Sequence, residues 1–211
     1  MSRKVMQMQI DELTVGLVQT CCYILGREGG RECIVIDPGA EAARIRKAVG
    51  GRKIAAILLT HGHFDHIGAV RELTLRRGDP STPLRSAQDD TTEEKPRIVI
   101  HELDAPMLTD SRLNASRGLI GREVTAPEAT DLVKEGDELE LAGLKVKVLH
   151  TPGHTPGSVC YLIEGELFTG DTLFDYGWGR TDLPGGSEAQ MEASLRRLMP
   201  MVKGRAFYAG H

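Results

Sequence analysis

Four side chains able to bind a metal stand within one short run of this chain, Thr60-His61-Gly62-His63-Phe64-Asp65-His66. Neutral imidazoles and a carboxylate are ligands for zinc, iron or manganese. The sequence holds 7 histidines among 211 residues, so three of them inside one six-residue stretch is a concentration that a solvated polar loop does not call for. Two histidines spaced i and i+2 share a pocket only where the backbone is extended or turning, and Gly62 between them accepts backbone angles that other residues resist. Further donors follow: His150 and His154 in the run His150-Thr151-Pro152-Gly153-His154, Asp171 after Gly170, and His211 after Gly210. His101 stands alone and reads as a structural or surface histidine. Asp37, in Asp37-Pro38-Gly39, reads equally as a carboxylate that orients a ligand and as one that caps its own turn.

Each donor needs an element to place it. The apolar, partly β-branched run 54–59 reads as a buried strand that ends on the histidine cluster. Segments 137–141 and 144–149 alternate apolar and polar residues around Ala142-Gly143, a hairpin with one buried face that delivers His150 and His154. Strands are expected at 158–163 and 166–169, the second stopping at Gly170-Asp171, and at 205–209 ahead of Gly210-His211. Earlier strands are expected at 5–10, 20–25, 32–36 and 97–101, and helices at 41–49, 67–77, 102–113 and 187–199. The loop-like 114–130 could cover the site. Two strand-rich blocks with helices between or after the strands suggest two sheets with helices outside, and strand ends in such a layered fold can converge on one cleft edge.

Length suits a single domain spanning residues 1–211. A net charge of −4 gives no general attraction to phosphate backbones or anionic membranes, so the expected partner is a small-molecule substrate, with no nucleic acid and no membrane. No apolar run reaches the ~20 residues of a membrane span, and the first residues lack the apolar core of a secretory signal, which points to the cytoplasm. Cys21, Cys22, Cys33 and Cys160 have no C-x-x-C spacing and read as free thiols rather than disulfides or a thiolate zinc site. Residues 79–96, rich in Pro, Ser, Thr, Asp and Glu, read as a flexible surface insertion without catalytic residues.

Taken together, Thr60 to His66, His150 to Ser158, Phe168 to Phe174 and Gly210-His211 resemble the metallo-β-lactamase-fold hydrolases, most closely the glyoxalase II-like branch of hydroxyacylglutathione hydrolases and their short single-domain relatives. The resemblance keeps one order over nearly the whole chain. It implies an α+β fold, an αββα four-layer sandwich of two mixed sheets with outer helices. It further implies two divalent metal ions, zinc first and iron or manganese as alternatives: one on His61, His63 and His154, the other on Asp65, His66 and His211, with Asp171 bridging. Two metals sharing a water lower its pKa towards ~7 and supply a hydroxide nucleophile, so no serine or cysteine nucleophile is required. Asp65 is the expected catalytic residue, orienting that hydroxide, while His150 shapes its loop. The implied reaction is hydrolysis of thioesters such as S-lactoylglutathione, or of a lactone or other ester. The alternative is a mononuclear iron persulfide dioxygenase, whose motifs are also similar. Where glyoxalase II proper has a lysine and a tyrosine for the glutathione, this sequence has Gly179-Arg180-Thr181-Asp182-Leu183-Pro184-Gly185-Gly186, in which Arg180 is a candidate for a substrate carboxylate.

Overall fold

In the computed structural model, residues 7–75 and 94–211 are described. The insertion expected at 79–96 lies outside them except for its last three residues. Six strands form one sheet in the order β1 (Met8–Val15), β2 (Thr20–Arg27), β3 (Glu32–Ile36), β4 (Lys53–Leu58), β5 (Arg97–His101) and β6 (Asp131–Val133). The first three pair antiparallel and the last four parallel. Five strands form the other sheet: β7 (Glu138–Leu141), β8 (Leu144–His150), β9 (Val159–Ile163), β10 (Glu166–Gly170) and β11 (Tyr208–Ala209), with β10 and β11 parallel and the rest antiparallel. Both sheets are therefore mixed.

The two-residue period of each strand sets the layers. On β3, Ile34 and Ile36 face the space between the sheets with Leu58, Val146, Val148, Tyr161 and Phe168. Cys33 and Val35 face the other way, onto α1 (Ala42–Val49), α2 (Phe64–Ile67) and α3 (Val70–Thr74) through Ile45, Val49, Ile67 and Val70. Across the second sheet, Leu149, Cys160 and Leu167 pack on Leu198 of α5 (Glu188–Val202). The result is an αββα four-layer sandwich of the α+β class. Fully burying each such Ile, Leu, Val or Phe contributes about 1.5–3 kcal/mol, whereas a surface ion pair such as Arg196–Glu192 contributes about 0–1. The layers, not the ion pairs, hold the fold.

Several boundaries differ from the sequence reading. The first strand runs to Val15 instead of residue 10, because an edge strand paired with β2 along its length tolerates the exposed Glu12 and an Asp11 paired with Arg52 (3.1 Å). The helix expected at 102–113 is only a 3-10 turn, Ala105–Leu108, since Asp104 and Asn114 spend their side chains on neighbouring loops. Within 114–130 lies a short helix, α4 (Ser116–Ile120), flanked by Ala115 and Gly121 at φ 65° and 66°. Helix α5 begins as expected at Ser187, whose hydroxyl accepts from Gln190 N–H, but continues past residue 199 through Pro200, where only the last turn is left to disturb. All four cysteines are free. No helix among the described residues is long and apolar enough to cross a membrane.

Candidate metal centre

Parallel pairing of β3, β4 and β5 brings their C-terminal ends to one edge, and the second sheet is tied to that edge by Val159 N–H donating to Thr60 O (2.8 Å) and Tyr161 O–H donating to Leu59 O (2.9 Å). Asp37, just after β3, takes φ 48° and accepts from both Thr60 N–H (2.8 Å) and Thr60 Oγ1 (2.6 Å). The hydroxyl proton of Thr60 is thereby committed, so its oxygen accepts from His61 Nδ1, 3.1 Å away. That choice of tautomer leaves the His61 Nε2 lone pair pointing into the cluster. Asp37 also lies 3.0 Å from His66 Nδ1, so it supports a candidate ligand in addition to its turn.

Gly62 is needed for space rather than for backbone angle: its φ is not positive, and a Cβ there would strike Met107. Gly170, at φ 49°, lets β10 pass against Thr60, where a Cβ would collide with the threonine side chain. Immediately beyond it, Asp171 Oδ1 lies 3.3 Å from His66 Nε2, while Oδ2 lies 3.4 Å from His154 Nε2 and 3.5 Å from His211 Nε2. Asp171 thus faces two groups of side chains at once. His61, His63 and His154 form one; Asp65, His66 and His211 form the other; within each, one donor atom per residue lies within 4.8 Å of the others. His154 Nδ1 is 2.7 Å from Arg180 O and His211 Nδ1 is 3.1 Å from Val18 O, which turns both Nε2 atoms inward.

Charge divides the two groups. Burial, reinforced by neighbouring imidazoles, holds His61 well below the ordinary histidine value and takes His63 down to about 3. Burial also acts to lower His66, but Asp171, Asp37 and Asp65 outweigh it and hold that imidazole well above its ordinary value. His211 goes up to about 9 in the same way, against its burial, through Asp171 and Asp65. Asp171, despite burial, is held well below the carboxylate range by His66 and His211. His61 and His63 are thus held as neutral imidazoles, while His66, His211 and Asp171 form a charged network.

These residues fit a divalent metal. His61 Nε2 and Asp171 Oδ1 are buried without a hydrogen-bond partner, a costly condition that a cation relieves, and His63 Nδ1 lies 2.8 Å from His154 Nε2. The donor set of imidazole nitrogens and carboxylate oxygens suits zinc, iron or manganese.

Sequence reasoning missed Asp104. Its buried carboxylate accepts from Gly62 N–H (3.1 Å), Thr155 Oγ1 (2.6 Å) and Gly157 N–H (2.7 Å), so it clamps the loop of His61 and His63 to the loop of His154. Burial pushes its carboxyl above the ordinary value against these three bonds. A single aspartate after a strand carries no periodic or motif signal that could have revealed it. His150 stays out of the cluster, contacting Pro156 O at 2.9 Å and stacking on His101 with ring centroids 4.1 Å apart. The Arg180 guanidinium is held at 2.6 Å by both oxygens of Asp182, and it is the arginine's carbonyl that meets His154.

The cluster forms the floor of an open cleft of about 410 Å³, where His63, Asp65, His154, Asp171 and His211 meet walls from the β1–β2 turn, α4 and the loop 174–183.

Residues 15–211 match the family model described as the Metallo-beta-lactamase superfamily. The hydroxyacylglutathione hydrolase GloC of Haemophilus influenzae is 31% identical over 97% of this chain and 91% of its own length. Among solved structures, BLEG-1, titled a B3 metallo-beta-lactamase, superposes with a TM-score of 0.82 at 33% identity, covering 96% of this chain and 91% of that one. TTHA1623, solved in a di-iron-bound form, gives a TM-score of 0.76 at 32% identity over 95% and 91%.

Proposed function

Because this chain belongs to the metallo-beta-lactamase superfamily, we propose that it is a metal-dependent hydrolase of the glyoxalase II-like kind, cleaving thioesters such as S-lactoylglutathione. The observation that carries this reading is the meeting of two groups of donors at Asp171 on the floor of an open cleft. His61, His63 and His154 would hold one divalent ion, Asp65, His66 and His211 a second, and Asp171 would lie between them. Zinc is the first expectation; the di-iron relative supports iron as the alternative. The triads His61/His63/His154 and Asp65/His66/His211, joined through a third, overlapping group of His61, His66 and Asp171, offer enough donors for two ions, which supports hydrolysis ahead of the mononuclear iron persulfide dioxygenase.

Bound metal supplies a water acidified towards neutral pH and polarisation of the scissile carbonyl. The chain supplies the rest. Asp65 is partly exposed to the cleft, with Oδ2 3.4 Å from His211 Nε2, and there it accepts a hydrogen bond from the attacking water and aims its oxygen at the acyl carbon. Thr60, Asp37 and Asp104 fix the imidazoles so that little reorganisation accompanies the reaction. Oxygen adds to the acyl carbon, the C–S bond breaks, and the products are a carboxylic acid and a thiol. A thiolate leaving group, with a pKa of about 8.5 by the cysteine reference, departs without a dedicated acid. Arg180, at the cleft wall, can meet a substrate carboxylate only by loosening its pair with Asp182.

The test is metal analysis of the purified protein together with hydrolysis of S-lactoylglutathione, an aryl ester, a lactone and a β-lactam. Two ions per chain with thioester turnover is the expected result. Failure of metal-loaded protein on every thioester, ester and lactone sinks the reading, and oxygen uptake with glutathione persulfide would replace it with the dioxygenase.

A further inference from the structure

The cleft walls are more apolar than a small hydroxyacyl substrate needs. Val18 in the β1–β2 turn, Leu119 and Ile120 on α4, and Tyr176 in the following loop all line it and are all exposed, Tyr176 to 80%. Leu17, beside Val18, is fully exposed as well. These residues come from three segments distant in sequence and converge on one opening, whereas exposed apolar side chains scattered singly would need no explanation. Among the described residues lining the cleft, Arg180 is the one arginine or lysine, and Asp182 neutralises it. A second cavity of about 660 Å³ adjoins the cleft through Val18, Phe64, Asp65 and Ile120, and its lining is mixed, with Val15, Leu17 and Val124 beside Arg71, Glu72 and Arg122.

Resting on the hydrolase reading above, we infer that the substrate carries an apolar alkyl or aryl acyl group, larger than lactoyl, which lies against Val18, Leu119, Ile120 and Tyr176. The metal-binding donors and the apolar walls line the same space, so an acyl chain on the reacting carbonyl lies within reach of those walls. Ligand sites of this kind, mostly apolar with a few convergent polar groups, select by buried area.

The experiment uses metal-loaded protein and a series of N-acetylcysteamine thioesters from acetyl to octanoyl, so that the leaving thiol stays constant. Each added methylene is expected to raise kcat/KM about two- to fourfold until the walls are covered. The double substitution Leu119→Asn and Ile120→Asn, at exposed positions and with thermal unfolding measured alongside, is expected to lower the octanoyl-to-acetyl ratio at least about tenfold, as two methylene-sized contacts or more are lost. Binding gives a second readout that does not depend on turnover. Trp178, the sole tryptophan, sits between the cleft-lining Tyr176 and Gly179, and its fluorescence should report ketone analogues of the thioesters binding more tightly with length. A flat or falling series, with turnover intact, overturns the inference and leaves the hydrolase reading standing. Length-independent binding of the ketones, or an unchanged ratio in the double variant, overturns it equally. No turnover on any member refutes the hydrolase reading itself, and the inference falls with it.

Discussion

Asp104→Asn removes one acceptor from a buried carboxylate on which three donors converge, Gly62 N–H, Thr155 Oγ1 and Gly157 N–H. An amide of the same shape keeps a single oxygen. Turned towards Gly62 and Thr155, it sets its NH2 against the Gly157 N–H, donor against donor; flipped, it opposes the Gly62 N–H, while the Thr155 hydroxyl can rotate to accept. A hydrogen bond to a charged acceptor contributes about 1.5–3 kcal/mol, and a buried donor left unpaired costs about 1–3. Against this, the neutral amide escapes the desolvation that raises the Asp104 carboxyl, so the lower end is expected, about 2 kcal/mol off a typical total of about 5–15. Asp104→Ala strands all three donors and should cost about 3 kcal/mol or more by the same reckoning. The measurement is urea unfolding of metal-free protein, paired with zinc affinity by competition against a chromophoric chelator. Because Asp104 sets the distance between the loop of His61 and His63 and the loop of His154, affinity should fall by about tenfold or more, the range seen for groups that orient ligands. If Asp104→Asn unfolds and binds zinc like the parent, the clamp does nothing. If stability falls but zinc affinity holds, Asp104 supports the fold and does not position the site.

Chelation of the metal-loaded protein should abolish hydrolysis and lower the unfolding temperature, both restored by added zinc, and His63→Ala should lose metal and activity together; a variant that keeps both removes His63 from the site. Burial, with the stacked His150, pushes His101 down to about 4 from the ordinary 6.5, so the unfolded chain takes the proton first. That contribution is complete above about pH 6.5 and is lost as pH falls towards 4, so between pH 7 and pH 5 the parent should lose more stability in urea than His101→Asn does; equal losses would contradict the assignment. Gly39→Ala would drive a Cβ into the carbonyl oxygen of Asp65, a backbone atom that cannot swing aside, and should cost about 3 kcal/mol. Gly118→Ala on α4 meets nothing and should be neutral or stabilising by up to about 1 kcal/mol; comparable thermal shifts in the two variants would show that the close approach at Gly39 is not real.

Much of the architecture was legible because period and punctuation agreed. The run at 54–59 and the alternation from 144 to 149 produced β4 and β8, with their histidines at the ends. His61, His63 and His154, and Asp65, His66 and His211, are the groups the family resemblance implied, and the fold brings each group together. What could not be read was dictated by partners remote in sequence. The length of β1 depends on β2 pairing beside it, and the 3-10 turn at 105–108 depends on where Asp104 and Asn114 find their partners. Asp104 itself reaches across 53 positions to Gly157, a distance no local pattern encodes. The spacing of His61 and His63 points to Gly62 as a turn residue, whereas its role in the fold is to make room for Met107.

The contact between Val18 O and His211 Nδ1 is made by backbone on the hairpin side, and Val18, half-exposed, also lines the cleft. One residue therefore answers to two kinds of selection. Any amino acid at position 18 offers the same carbonyl, so descendants of this chain can exchange side chains there and at Leu17 to meet new substrates without loosening His211. An insertion or deletion in the turn has no such freedom, because it carries the carbonyl away. Drift in this hairpin should accordingly appear as substitutions at constant length, which makes it a place where the cleft wall can diversify while the donor cluster is inherited unchanged.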